Sequence, residues 1–132
     1  MKKYVEEFIL SADSKALATA SSSGVLNVVP VSSVKVFEGK IVLVNYFMDK
    51  TLQNINSNNQ VSLVAWSKMI GYQIKGIVEY KEQGEIFDKI VSWIKDTIPG
   101  RVVKGVLIIT PNEVHDIAPD KKTKEHFEGA LK

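Results

Sequence analysis

The sequence predicts a mainly β protein with α: a six-stranded antiparallel barrel with two or three flanking helices. Three observations lead there. Runs of strand length rich in Val and Ile recur between residues 25 and 110. Short turns bearing Gly or Ser separate several of them, the connection that antiparallel neighbours permit. Helical spacing of apolar residues is confined to residues 2–10, 49–58 and 85–96.

The chain has 132 residues, 45% hydrophobic and 24% charged, the size and balance of one domain with its own core. A single domain over residues 1–132 is expected, with a loose charged tail from residue 120 onward. The absence of Cys excludes disulfides, thiolate metal sites and a Cys nucleophile, and leads to an expectation of cytoplasmic residence. No apolar run approaches the ~20 residues of a membrane-spanning helix. Glu6 and Glu7 stand where a signal peptide carries its apolar region. A net charge of +2 argues neither for nor against a polyanionic partner, and neither nucleic acid nor membrane is expected as a partner.

Residues 2–10 read as a short helix with Tyr4, Val5, Phe8 and Ile9 on one stripe. After a polar break, residues 16–20 form a strand of small residues, and Ser21-Ser22-Ser23-Gly24 a turn with a Gly suited to positive φ. Residues 25–37 are the longest β-type run. Pro30 interrupts it and, lacking an N–H, marks an edge position or a bulge. Glu38-Gly39 is a hairpin turn, and residues 40–44 return from it. Asp49 is expected to cap the helix of residues 49–58, with Leu52 and Ile55 on one side.

Residues 60–66 alternate Val61, Leu63 and Ala65 with Ser62, Val64 and Trp66, so both faces are expected to be largely buried. Residues 70–80 form another strand, in which Gly71 and Gly76 imply strong curvature or a close approach to the backbone. Residues 85–96 are the clearest amphipathic helix, with Ile86, Phe87, Ile90, Val91 and Ile94 inward and Glu85 paired with Lys89. Ile98-Pro99-Gly100 stops it. Residues 102–110 are a final apolar strand, with an extension through Val114 to Ile117.

The chemistry centres on residues 40–54. An apolar strand crosses the elbow Asn45-Tyr46-Phe47-Met48 and enters a helix through Asp49-Lys50-Thr51. The first turn of a helix has N–H groups without partners and the positive end of the dipole, to which Lys50 adds a charge and Thr51 a hydroxyl. From these residues alone two readings stay open: an anion seat, or a capped surface helix with a solvated Lys50. Asp49 bears on the choice, because its carboxylate repels an anion unless it points away and satisfies a later N–H.

Other motifs fall away. Gly71 to Gly76 has P-loop spacing, but Ile77 follows where that motif needs Lys. There is no G-x-S-x-G elbow and no H-E-x-x-H, and His115 and His126 lack a helical pairing. No carboxylate pair suits acid–base work, and no catalytic side chain stands out. Trp66, Tyr72 and Trp93 read most simply as core or interface residues, with a place for Trp93 over an aromatic ligand as the alternative.

The run from Asn27 through Val28-Val29-Pro30-Val31-Ser32 to Gly39, the elbow and Lys-Thr-x-x-Asn step to Ile55, and Gln60 to Trp66 resemble the FMN-binding split-barrel family, which includes pyridoxamine 5′-phosphate oxidase and small FMN-binding proteins. The resemblance covers residues 12–80 well and the C-terminal helix and strand more loosely. It implies a split β-barrel, FMN as cofactor, and a homodimer with the flavin at the subunit interface. By position it puts Val28, Val29, Pro30, Val31 and Ser32 against the isoalloxazine ring. Asn45, Tyr46, Phe47 and Met48 then line the ribityl chain, Lys50 and Thr51 hold the phosphate, Asn54 supports the turn, and Gln73 reaches the flavin from the strand across the groove.

A Lys–phosphate bond contributes ~1.5–3 kcal/mol and the helix end roughly 0.3–1 more. Micromolar binding needs about 8 kcal/mol, so ring contacts and a second subunit must supply the rest. Pyridoxamine 5′-phosphate oxidases resemble one another in an Arg-rich C-terminal segment, whereas here no Arg follows Arg101, the only Arg of the chain. Lys does not replace a planar bidentate Arg, so vitamin B6 oxidation is not expected. The reading is an FMN flavoprotein, an oxidoreductase or electron carrier with a small-molecule redox partner. The alternatives are a flavin or deazaflavin-dependent reductase and a non-catalytic ligand-binding barrel dimer.

Overall fold

The β-type run of residues 25–37 is two strands. In the computed structural model, which describes residues 1–119, the chain leaves the sheet after Pro30 and re-enters at Val34. The elements are α1 (Lys3–Ser11), β1 (Ser14–Ala20), β2 (Leu26–Pro30), β3 (Val34–Phe37), β4 (Lys40–Asn45), α2 (Asp49–Ser57), β5 (Gln60–Ser67), β6 (Ile70–Lys81), α3 (Glu85–Thr97) and β7 (Gly105–Asp116). Seven antiparallel strands, rather than the expected six, form one sheet in the order β2-β1-β5-β6-β7-β4-β3. The break is set by distant partners. The Val31 N–H donates to the Lys15 carbonyl at 2.9 Å, and Ser33 Oγ lies 2.9 Å from the Tyr46 hydroxyl. Pro30 ends the edge strand β2, where a missing donor costs no ladder bond.

The sheet curls around its core without closing. Leu17 of β1, Leu63 of β5, Ile74 of β6 and Leu107 of β7 share one apolar cluster with Ile41 and Leu43, although β1 and β4 lie far apart in the strand order. The edge strands β2 and β3 do not pair with each other, which leaves the barrel split. α1 contributes Val5 and Ile9 to this cluster. The Lys15 ammonium donates to the Ala12 carbonyl at the end of α1, at 3.0 Å. Burial lowers its pKa from the ordinary lysine value, outweighing the pull of Asp13.

The continuous apolar character of β4 has two causes. Ile41 and Leu43 face the barrel interior, while Val42 and Val44 pack under α3 with Ile90, Ile94, Val106 and Ile108. Burying a side chain such as Ile90 stabilises by ~1.5–3 kcal/mol. α3 turns slightly from the expected stripe: Val91 is exposed, and Trp93 packs against the cluster beneath the Lys35 ammonium. Glu85 and Lys89 pair as expected, 3.3 Å apart.

Gly71 and Gly76 answer to close approaches between strands. A Cβ at Gly71 would overlap the Ala65 carbonyl, and one at Gly76 the Thr110 carbonyl, beside the register shift between Lys75 and Gly76. In β5 one face is buried, while Ser62, Val64 and Trp66 on the other are half-exposed, so the expectation of two buried faces is corrected. Among the described residues no helix is long and apolar enough to cross a membrane, and no cluster of His, Asp and Glu suits a metal. The expected loose tail from residue 120 and His126 lie outside the described residues.

Candidate functional site

The elbow between β4 and α2 is held from within. Asn45 is 1% exposed, and both ends of its amide are engaged. Its Nδ2 donates to the Tyr80 hydroxyl at 3.0 Å, and its Oδ1 accepts the Met48 N–H at 2.8 Å. Tyr46 is buried with its hydroxyl on Ser33, and Met48 belongs to the barrel core. Phe47 is the exception, at 83% exposed. Asn45 therefore fastens the elbow, and Phe47 is its side chain turned to solvent.

Met48, not Asp49, occupies the position before the helix, so Asp49 is the first residue of α2 and makes no capping bond. The first bond of the helix runs from the Leu52 N–H to the Met48 carbonyl at 2.9 Å. Among the described residues the N–H groups of Asp49, Lys50 and Thr51 have no hydrogen-bond acceptor, and the Asp49 carboxylate has no hydrogen bond or ion pair. Lys50 is exposed at this turn. Thr51 is fully buried, and its hydroxyl oxygen accepts from Asn27 Nδ2 at 3.1 Å. Asn54 Nδ2 donates to Thr19 Oγ1 at 3.1 Å and to the Val25 carbonyl at 3.4 Å, which ties α2 to β1 and to the chain entering β2.

The turn and β2 are thereby joined. Asn27 and Val29 are half-buried on the α2 side of β2, and Val28 and Pro30 are exposed on the other. Val31 enters the core, and Ser32 is exposed in the following loop. The outward face of the sheet continues from Pro30 through Ala16 and Val64 to Gln73 in one cross-strand row. Three strand spacings separate Pro30 from Gln73, about 14 Å, and Gln73 Nε2 donates to Ser62 Oγ at 3.0 Å. Gln73 thus lies three strands from Pro30, while the remaining expected site residues lie on β2, the loop after it, the elbow or α2.

Several residues of this arrangement were not expected from the sequence. Asn27, a polar residue inside an apolar run, was the most accessible signal. Ser33 and Tyr80 satisfy elbow side chains from distant segments and carried no local signal. A groove of about 660 Å³ also lies between the elbow and the segment after α3, lined by Tyr46, Phe47, Ile98, Arg101, Val102 and Lys104. Chemically, the turn of α2 offers N–H groups and one ammonium to an anion. The edge strand β2 offers unpaired backbone groups along its open side.

The family model described as pyridoxamine 5′-phosphate oxidase matches residues 1–121. The uncharacterized protein MJ0282 of Methanocaldococcus jannaschii is 34% identical over 121 residues, which cover 87% of this chain and 81% of that protein. Among solved structures, HupZ of Group A Streptococcus superposes with a TM-score of 0.80 at 18% identity, over 90% of this chain and 95% of that one. An FMN-binding protein from Syntrophomonas wolfei gives 0.78 at 16% identity, over 89% and 86%. The same fold occurs in the heme storage protein HutZ of Vibrio cholerae (0.68, 13% identity, 86% and 92%) and in an F420 reductase (0.66, 12% identity, 87% and 98%). At these identities the solved structures speak for the fold alone.

Proposed function

The chain belongs to the pyridoxamine 5′-phosphate oxidase family, and from that premise we propose that it is an FMN-binding flavoprotein, a homodimer that moves hydride or electrons to or from a small redox partner. One observation carries the reading. The Asn27–Thr51 hydrogen bond clasps β2 to the first turn of α2, so Lys50 and three N–H groups that have no acceptor among the described residues stand beside an exposed edge strand. These groups fit a phosphate, and the open side of β2 fits the polar edge of a flavin ring. Thr51 contributes to the seat through its N–H, because its hydroxyl is buried. Bound FMN would supply the redox chemistry, and the protein's part is to bind, orient and shield it.

The second subunit follows from two considerations. Lys50 and the helix end supply too little energy for micromolar binding. The outward sheet face also exposes Leu26 at 78% and Val28 at 64% beside Ala16, Ala18 and Val64, an apolar surface suited to a second copy. The modest energy of the phosphate seat also favours one alternative, a reductase that takes flavin as an exchangeable substrate.

The visible spectrum and mass of the ligand that purifies with the protein test the assignment directly. Lys50→Ala is expected to weaken FMN binding about ten-fold or more and to leave riboflavin, which has no phosphate, nearly unchanged. A colourless protein that fails to take up added FMN overturns the flavin reading. Equal losses for both ligands place the phosphate elsewhere. Rapid exchange of FMN with NAD(P)H oxidation selects the reductase.

A further inference from the structure

The groove of about 660 Å³ beside the elbow has the makings of a second ligand site. Its walls are fixed by bonds already described or close to them. Tyr46 is anchored by Ser33, the Lys104 N–H donates to the Asn45 carbonyl at 3.0 Å, and the Arg101 N–H donates to the Ile98 carbonyl at 3.2 Å. Gly100, at φ +90°, turns the chain so that Arg101 returns over the elbow. The Arg101 guanidinium lies 4.6 Å from the centre of the Tyr46 ring, and the Lys104 ammonium 5.0 Å from that of Phe47.

Two features of this groove are unusual for a free surface. Phe47 is 83% exposed and Val102 74%, within a concavity rather than scattered singly. Both cations rest on rings, and among the described residues neither has a carboxylate partner. Among the described residues no Asp or Glu lines the groove. Exposed cation–π contacts are weak and easily exchanged for a charge-assisted bond. The floor is aromatic and apolar, the rim is doubly positive, and a guanidinium fork matches the two oxygens of a carboxylate.

We infer that this groove binds an aromatic carboxylate, its flat body against the exposed Phe47 and Val102 and its anionic end between Arg101 and Lys104. The inference does not rest on the flavin assignment, although a molecule bound there would adjoin the elbow that the flavin reading uses. 2-Naphthoate serves as the probe. Added to the flavin-free protein, it is expected to shift the backbone amide resonances of Phe47, Gly100, Val102 and Lys104 saturably. The neutral 2-naphthalenemethanol and inorganic phosphate should each bind at least about ten-fold more weakly. The double variant Arg101→Gln/Lys104→Gln, altered only at exposed side chains, should lose about ten-fold or more in naphthoate affinity with an unchanged amide spectrum elsewhere. Equal binding of acid and alcohol, equal binding of phosphate, or an unaffected double variant overturns the proposal. So does displacement of naphthoate by FMN at these amides, which makes the groove part of the flavin site. Shifts there that respond to protein dilution instead assign it to a second copy. Failure of FMN to bind at Lys50 leaves this result untouched, so the two readings fail separately.

Discussion

Asn27 Nδ2 donates to Thr51 Oγ1 across 3.1 Å, joining the middle of an edge strand to the first turn of a helix 24 residues later. Neither side chain belongs to the proposed phosphate seat, yet together they hold the first turn of α2 against β2. Thr51→Val keeps the shape and leaves the Asn27 amide without its acceptor, at a cost of about 1–3 kcal/mol. A double-mutant cycle with Asn27→Ala, read by urea unfolding, should give a coupling of about 0.5–1.5 kcal/mol. FMN affinity should fall several-fold in each single variant, and zero coupling would show that the clasp is not an energetic link.

Asp49 sits in the first turn of α2 and makes no capping bond, so its charge lies near any anion bound there. The carboxylate favours the helix by roughly 0.3–1 kcal/mol and opposes a phosphate by about 1 kcal/mol at 4 Å in water. Asp49→Asn is therefore expected to lower stability slightly while tightening FMN several-fold at low salt. The gain should shrink as ionic strength rises, and riboflavin should not respond. Isothermal titration at two salt concentrations measures this; no change for FMN at low salt removes Asp49 from the neighbourhood of the phosphate.

Much of the scaffold is legible because its signals are local. The Glu38-Gly39 turn takes positive φ at both residues, 49° and 78°, as a tight hairpin requires. The two buried faces of β4 are written in its unbroken apolar run. Pro30 marks the interruption of the 25–37 run, but the departure of Val31 to Ser33 from the sheet is not legible, since the partners that fix it are Lys15 and Tyr46. The same holds at the elbow. The family pattern marks Asn45 as a site residue, but its role is set by Tyr80, 35 residues away. The burial of the Thr51 hydroxyl, expected from the sequence at the phosphate, is not legible because it depends on β2 folding over α2.

The outward sheet face gives a prediction about assembly. Ala18 faces outward between Val28 and Ser62, in the middle of the surface proposed for a second copy. Ala18→Arg puts a long charged side chain on that face and changes nothing in the barrel interior, where Leu17 and Thr19 point. Sedimentation equilibrium should find the parent dimeric and the variant monomeric, with retained thermal unfolding and loss of bound flavin. A variant that stays dimeric places the interface on another surface.

Asn45 separates fastening from ligand contact. Asn45→Ala removes the donor to Tyr80 and the acceptor for Met48, leaving a half-buried hydroxyl and a buried N–H without those partners. The expected cost in urea unfolding is about 1–3 kcal/mol. Tyr80→Phe removes one end only and should cost less, about 0.5–1.5 kcal/mol. Because the elbow orients both the segment proposed to line the ribityl chain and the turn of α2, Asn45→Ala should weaken FMN and riboflavin by a common factor, in contrast to Lys50→Ala. Tyr80→Phe should follow the same pattern in smaller measure. An Asn45→Ala protein with parental stability and sharply reduced affinity would put the amide on the ribityl chain instead.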